Sequence, residues 1–365
     1  MKRFFRLIGF LSIFVLFSVG IKYSPNEFYD ISNIYLTDSL LLISDTFNGI
    51  TVYSTAASDT PTLITSIPLN GARGMAVKND IIYAGLWDRI GVYRLTDDGG
   101  YDSLHSITLS TWFEGDDIME VQRYEYHRPF FSCSGCSAPM TADEMSGGGS
   151  TGTGGSYAVF AVIDRFLYYV DQSELIALDI TDPAKPKELS RLYIDWSIET
   201  LYPMEEYLYI GGQMGMYVVD RHNGAQPKMI GSLQHFRACD PVVVRDTFAF
   251  VTLRSGSGCG GSENTLLTVS VANPINPKLL NEKGVVTPYG LAVQDSLLFV
   301  ANGENGYTLF RTEESIKPQI VKQWDDPPAK DFIWSGTSMY MMGFNQVHLV
   351  DVSDPMEPRI TFTIR

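Results

Sequence analysis

Seven short apolar segments in this chain each end in a polar residue, and they recur at nearly regular steps. They close at Ser54, Arg94, Asp179, Asp220, Ser270, Arg311 and Asp351, in steps of 40, 85, 41, 50, 41 and 40 residues. A recurrence near forty residues, built from β-type segments, marks a propeller or a related array of sheets. Each unit has one internal plan. In 290–309, GLAV is followed by the turn QDS, then LLFVANG, then GYTLF. Val77-Lys78-Asn79-Asp80 before IIYAGL, Val244-Arg245-Asp246 before TFAFVTL, and Ile163-Asp164 before RFLYYVD repeat that hairpin. Short alternating apolar runs bounded by Asp, Asn, Ser and Gly read as antiparallel strands joined by tight turns.

A second turn recurs after the polar residue, in IALDITDPAKPKEL (176–189), LTVSVANPINPKLL (267–280) and LVDVSDPMEPRI (349–360). Asp182 or Asp354 accepts hydrogen bonds from nearby backbone N–H groups, and Pro183 or Pro355 fixes φ at a turn position. Pro186 or Pro358 then opens an outer strand, where a missing N–H is tolerated. The unit is therefore four strands, with the Asp-Pro turn between the third and fourth. Seven units result: 28–71, 72–111, 157–197, 198–238, 239–287, 288–329 and 330–365. Stacked radially they bury both faces of every sheet, which predicts an all-β, seven-bladed propeller of four-stranded antiparallel blades in a single domain over 21–365. Helical periodicity is absent from the mature chain. Residues 111–156 read as an insertion loop between blades two and three rather than an eighth blade, since MSGGGSTGTGGS supplies flexibility and little area to bury.

These segments resemble the LVIVD-repeat family of bacterial exported proteins. The block Cys239-Asp240-Pro241-Val242-Val243-Val244, followed by Leu253-Arg254-Ser255-Gly256 and Gly258-Cys259-Gly260, carries the same resemblance. The resemblance implies a β-propeller. It implies no reaction, substrate or catalytic residue.

Composition fits. Of 365 residues, 45% are hydrophobic, enough for a substantial core, and 20 Tyr with 20 Phe suit half-buried strands. The net charge of −15 comes with no basic cluster beyond the N-terminus, which argues against a nucleic-acid partner. The acidity serves solubility or favours cations and basic ligands. MKRFFR followed by the apolar run at 7–19, with small residues Ser18 and Gly20, has the layout of a signal peptide over 1–20. An uncleaved N-terminus is the alternative, and the only membrane contact expected. The product is then periplasmic, cell-surface or secreted.

Export places Cys133, Cys136, Cys239 and Cys259 in an oxidising compartment, where pairing is the default. Counting strands brings Cys239 and Cys259 to one end of the fifth blade, and closing that loop contributes about 3 kcal/mol in the entropic account. Cys133 and Cys136 are left as a local CSGC pair. A zinc site with His127 or His235 is the competing reading, but no second C-x2-C or spaced His pair supports it.

The insertion and the loop 255–264 both decorate the face that also carries the blade entries. Rigid scaffolds bind through such loops. First strands begin at Ser32, Arg73, Ala158, Glu199, Asp240, Tyr289 and Asp331, so Arg73, Glu199, Asp240, Tyr289 and Asp331 are the candidate ligand-binding residues of an axial mouth. Converging carboxylates there would suit Ca²⁺ or a basic group, against the plainer reading of a solvated polar rim. No cofactor is otherwise indicated. Two functions compete. One is a non-enzymatic binding scaffold for a protein or glycan, using the loop face and aromatics such as Trp112, Phe113, Tyr124 and Tyr126. The other is a metal-dependent hydrolase or lyase at the axial mouth. The five His residues are scattered (His105, His127, His222, His235, His348), and no G-x-S-x-G or H-E-x-x-H spacing is present, so no catalytic residue is assigned.

Overall fold

A computed structural model describes residues 28–56, 60–109, 152–234, 241–256, 264–312 and 316–365. Seven antiparallel sheets, each of four consecutive strands, span 31–67, 74–108, 160–193, 198–234, 242–284, 291–324 and 331–364. The expected seven-bladed propeller is borne out, down to the third-strand ends at Ser54, Asp179, Asp220, Ser270, Arg311 and Asp351. No helix occurs among the described residues. The first strand of each blade packs against the first strands of its two neighbours, and the seventh meets the first.

The hairpin between first and second strands turns on two residues, the first of which has positive φ in six blades: Asn79, Asp164, Glu205, Asp246, Asp295 and Gly336. Asn and Asp tolerate this region because their short polar side chains bond locally. The Asp-Pro turn forms as read. Asp182 Oδ1 accepts from Ala184 N at 3.2 Å and Asp354 Oδ1 from Met356 N at 2.9 Å, while Asn273 Oδ1 accepts from Ile275 N at 3.2 Å.

These turns have a second role. The carbonyls they present are held by the preceding blade. Tyr83 Oη donates to Pro183 O at 3.0 Å, Tyr168 Oη to Gly224 O at 3.0 Å, and Ser190 Oγ to Ala225 O at 2.8 Å. Lys322 Nζ donates to Met356 O at 2.8 Å and pairs with Glu357 at 2.6 Å. In blades three, four and seven the turn is thus a latch between neighbours as well as a reversal of the chain.

One regular feature has no sequence signature. Opposite the third strand, every fourth strand carries one extra residue, with register shifts between Val52/Tyr53, Val92/Tyr93, Ala177/Leu178, Val218/Val219, Thr268/Val269, Leu309/Phe310 and Leu349/Val350. A bulge twists an edge strand and spoils it as a template for further pairing, which matters in a molecule with seven outer edges.

The core lies between blades. Ile31, Ile34, Leu41 and Ile43 of the first blade pack with Ile333, Tyr340 and Met342 of the seventh, closing the ring. Fully burying one such aliphatic side chain contributes about 1.5–3 kcal/mol. The seam also has polar ties. Lys330 is fully buried, and its Nζ donates to Ile31 O at 2.7 Å and lies 3.4 Å from Asp30, while Ile31 N donates to Phe344 O at 3.0 Å. Among the described residues, the first and seventh blades exchange no strand.

Candidate functional site

The axis is occupied by the chain itself. Thr153–Gly154 pairs antiparallel with the inner strand Ile31–Leu36, making a fifth strand on the channel side of the first blade. Tyr35 Oη donates to Gly152 O at 2.7 Å and Asn33 Nδ2 to Tyr157 O at 2.9 Å. Ser156 then joins two further blades. Its Oγ donates to Asp331 Oδ1 at 2.8 Å and accepts from Leu291 N at 2.8 Å. Leu201 N donates to Ala158 O at 2.8 Å, which ties in the fourth blade. Ser156 and Asp331 have no solvent exposure and Tyr157 has 2%. The approach is close enough to require glycine twice: a Cβ on Gly155 would meet Asp331 Oδ2 at 2.3 Å, and one on Gly290 would meet Oδ1 at 2.1 Å.

The axial candidates therefore differ in setting. Asp331 is fully buried under Ser156. Glu199 is half-buried and accepts from Gln213 Nε2 at 2.9 Å. Tyr289 is half-buried beneath Arg254, whose guanidinium carbon stands 3.9 Å from the ring centroid. Arg73 is exposed and lies over Trp87 at 5.2 Å. Asp240, Cys239, Cys259, Cys133, Cys136, His127 and His235 fall outside the described residues, as do residues 1–20, expected as a signal peptide, and 111–151 of the expected insertion. Among the described residues, no three His, Cys, Asp or Glu side chains are grouped as metal ligands. His348 is 5% exposed on the third strand of blade seven, where Nδ1 bonds Thr363 Oγ1 at 2.9 Å.

On the face that carries the blade entries and the second-to-third loops, large aromatics stand in solvent. Tyr29 is 43% exposed, Phe47 54%, Trp87 48% and Trp196 52%, with Tyr193 beside Trp196 at the end of its outer strand. Among the described residues, Tyr101 is the one exposed aromatic at the opposite end of its blade, and the other exposed large apolar residues are aliphatic.

These rings are positioned rather than merely exposed. Asp45, 1% exposed, collects four backbone donors: Oδ2 accepts from Tyr29 N at 2.7 Å and Asp30 N at 2.9 Å, and Oδ1 from Phe47 N at 2.9 Å and Asn48 N at 2.8 Å. One carboxylate thereby shapes both segments bearing aromatics in the first blade. Trp87 rests on Gly71, where a Cβ would come within 2.0 Å of the indole, and is overlain by Arg73. Asp195 Oδ1 accepts from Trp196 N at 2.7 Å, and its Oδ2 accepts from Tyr217 Oη. The loops interlock, since Ile194 N donates to Ser173 O at 2.9 Å and Gln213 N to Ser197 O at 2.9 Å. An arc of aromatics on anchored backbone therefore runs over blades one to three, ending at the entry to blade four.

Carboxylates lie along the arc. Asp88 pairs with Arg89 at 3.3 Å and Glu174 with Arg191 at 3.3 Å, Asp171 lies near Arg73 and Arg191, and Asp30 stands 3.4 Å from the buried Lys330, with Asp195 and Glu199 farther along. Burial pushes the Asp171 carboxyl above the usual range, opposed by the nearby Arg73 and Arg191 guanidinium groups. Tyr29, Phe47, Trp87 and Trp196 were not singled out by the sequence reading. Their signal is nonetheless visible: in DTFNG, GLWDR and IDWSI an aromatic sits beside Asp or Asn in a turn, where no strand face needs it.

Comparison with known proteins agrees with the architecture. A family model described as the LVIVD repeat matches residues 154–193 and 204–234. No curated protein is significantly similar in sequence. Among solved structures, a protein from Lactobacillus plantarum is similar with a TM-score of 0.62 at 11% identity, covering 92% of this chain and 96% of that one. A functionally unknown protein from Desulfotomaculum acetoxidans gives 0.59 at 12% identity, covering 91% and 95%. BamB from Moraxella catarrhalis gives 0.55 at 8% identity, covering 87% and 80%. At such identities the likeness concerns the fold alone. The chain is a seven-bladed β-propeller that carries LVIVD repeats in its third and fourth blades.

Proposed function

We propose that this chain is an exported, non-enzymatic propeller that binds a macromolecular ligand through the face bearing Tyr29, Phe47, Trp87 and Trp196. The observation that carries the reading is the anchoring of the backbone that bears Tyr29, Phe47 and Trp196, together with the seat of Trp87 on Gly71. Fixed aromatic side chains lose little freedom on binding and supply most of the energy at recognition surfaces. The occupied axis points the same way, because Asp331 is wholly buried with its Oδ1 bonded to Ser156 and is withheld from a channel-mouth reaction. The test follows the fluorescence of Trp87 and Trp196, in variants retaining one of the two, against panels of soluble polypeptides and oligosaccharides. Binding that perturbs either tryptophan supports the reading. Ligands that bind while leaving both unchanged, and survive Trp87→Ala and Trp196→Ala, remove it.

Export rests on the basic-then-apolar N-terminus and is tested by sequencing the mature N-terminus recovered from outside the cytoplasm; the expected start is Ile21. Cys239–Cys259 and Cys133–Cys136 disulfides are part of the same reading. Non-reducing peptide mapping is expected to recover both pairs, and four free thiols in the exported protein would count against them.

A further inference from the structure

We infer that the partner of the aromatic arc is a lysine- or arginine-rich polypeptide segment. This rests on the binding-face reading above and names its ligand class. Three observations carry it. The first is the kind of apolar group on this face. Aliphatic side chains are most of what the outer strands expose, as at Leu63, Met229, Leu279, Ile320 and Ile360, whereas the arc's face exposes four large rings beside only Met214 and Val286 among the described residues. Both exclude water, but only a ring presents a negative π-face to a cation.

The second observation is how the same face treats its own cations. Arg73 lies 5.2 Å from the centroid of Trp87 and Arg254 lies 3.9 Å from that of Tyr289, while inside the seam the buried Lys330 lies 5.2 Å from Phe344. At two places around the rim, a positive group has settled on an aromatic face. The third observation is charge. Six carboxylates lie along the arc against three arginines and the buried Lys330, within a chain of net charge −15. Asp88 pairs with Arg89 at 3.3 Å while 58% of its own side chain stays in water, so it remains accessible. A polyanion would be repelled by this field. A neutral glycan would stack on the rings and make no use of the field. A basic peptide uses both, and its several cations match an arc that extends over three blades rather than a single pocket.

The experiment measures fluorescence anisotropy of a labelled peptide alternating Lys, Arg and Ser, with the full-length protein at about 0.15 M salt. Trp87→Leu and Trp196→Leu keep an apolar group and the net charge but delete the π-face. Each is expected to weaken binding roughly two- to fivefold, with the thermal midpoint of the protein little changed. Asp98→Asn with Asp246→Asn removes two charges from the opposite face and is expected to leave binding as it was. Equal affinity in the leucine variants, or equal weakening by the opposite-face pair, overturns the inference, because attraction would then be to net charge alone. Should Trp87→Leu fail to fold, Trp196→Leu carries the same test. A neutral oligosaccharide that perturbs Trp87 and Trp196 while the peptide does not would overturn the basic partner and leave the binding face standing. Silence of both tryptophans toward peptide and saccharide alike removes both.

Discussion

Replacing Ser156 by Ala removes a single oxygen from the centre of the ring. That oxygen donates to Asp331 Oδ1 at 2.8 Å and accepts from Leu291 N at 2.8 Å. With Ser156 and Asp331 wholly shielded, water does not replace the lost partner at either end. A hydrogen bond to a carboxylate contributes about 1.5–3 kcal/mol, and an orphaned buried N–H costs about 1–3 kcal/mol. The backbone bond from Ser156 N to Asp331 Oδ1, at 3.2 Å, survives the substitution and moderates the loss. The expected cost is therefore about 2–4 kcal/mol. For a chain longer than 250 residues this corresponds to a fall in melting temperature of about 4–8 °C, at roughly 2 °C per kcal/mol. Equilibrium denaturation in urea, followed by far-ultraviolet circular dichroism and by tryptophan fluorescence, measures the effect and reports whether the two probes coincide. A midpoint unchanged to within about 0.5 kcal/mol would refute the reasoning, since surface substitutions alone lie in that range.

Three further outcomes are expected. Gly231→Ala places a Cβ 2.2 Å from Pro274 O in the next blade and should destabilise by about 1–3 kcal/mol, whereas Gly284→Ala, with nothing within 4 Å, should be near neutral; parallel thermal melts separate them. Tyr83→Phe and Tyr168→Phe each release a turn carbonyl of the following blade and should cost about 1 kcal/mol apiece, nearly additively, in denaturant titrations. His348 is held below its usual pKa, first by burial and then by Arg365, against the opposing pull of Asp326. Its neutral form is therefore favoured by folding, and its contribution is present above about pH 6.5 and lost as pH falls from there through the folded value. His348→Gln should flatten that part of the stability–pH curve, and an unchanged curve would exclude His348 as its source.

The architecture was legible in the sequence because the repeat is written in residues with strong local rules. Asp182-Pro183 and Asp354-Pro355 specify their turns wherever they occur, and Asn79, Asp164 and Asp246 mark hairpins that need positive φ. The axial peptide was illegible for the opposite reason. Gly155 and Ser156 lie at the end of a run of glycine and serine that reads as slack chain, and their partners Asp331 and Leu291 are more than 130 residues away. Nothing local encodes such contacts. Arg73, Glu199, Tyr289 and Asp331 share a strand position, yet one stacks, one pairs with Gln213, one lies beneath a guanidinium and one is buried. Equivalent positions in a repeat predict where the backbone goes, but the surroundings of each side chain are set by neighbours that do not repeat. The supports of the arc, Asp45 and Asp195, were equally hidden, since their acceptors work through backbone N–H groups that every residue type supplies.

The seam between blades one and seven is made of their own strands lying side by side, fastened by Lys330 and spanned by the peptide through Ser156. Covalent continuity is therefore not what shuts the circle there. Cutting the chain at another junction, and linking the present ends of the ring, would merely relocate the gap: each joint is already zipped by side chains reaching from one wedge to the next. The same reasoning names the vulnerable point, because the central peptide touches several wedges at once and its removal would loosen all of them together.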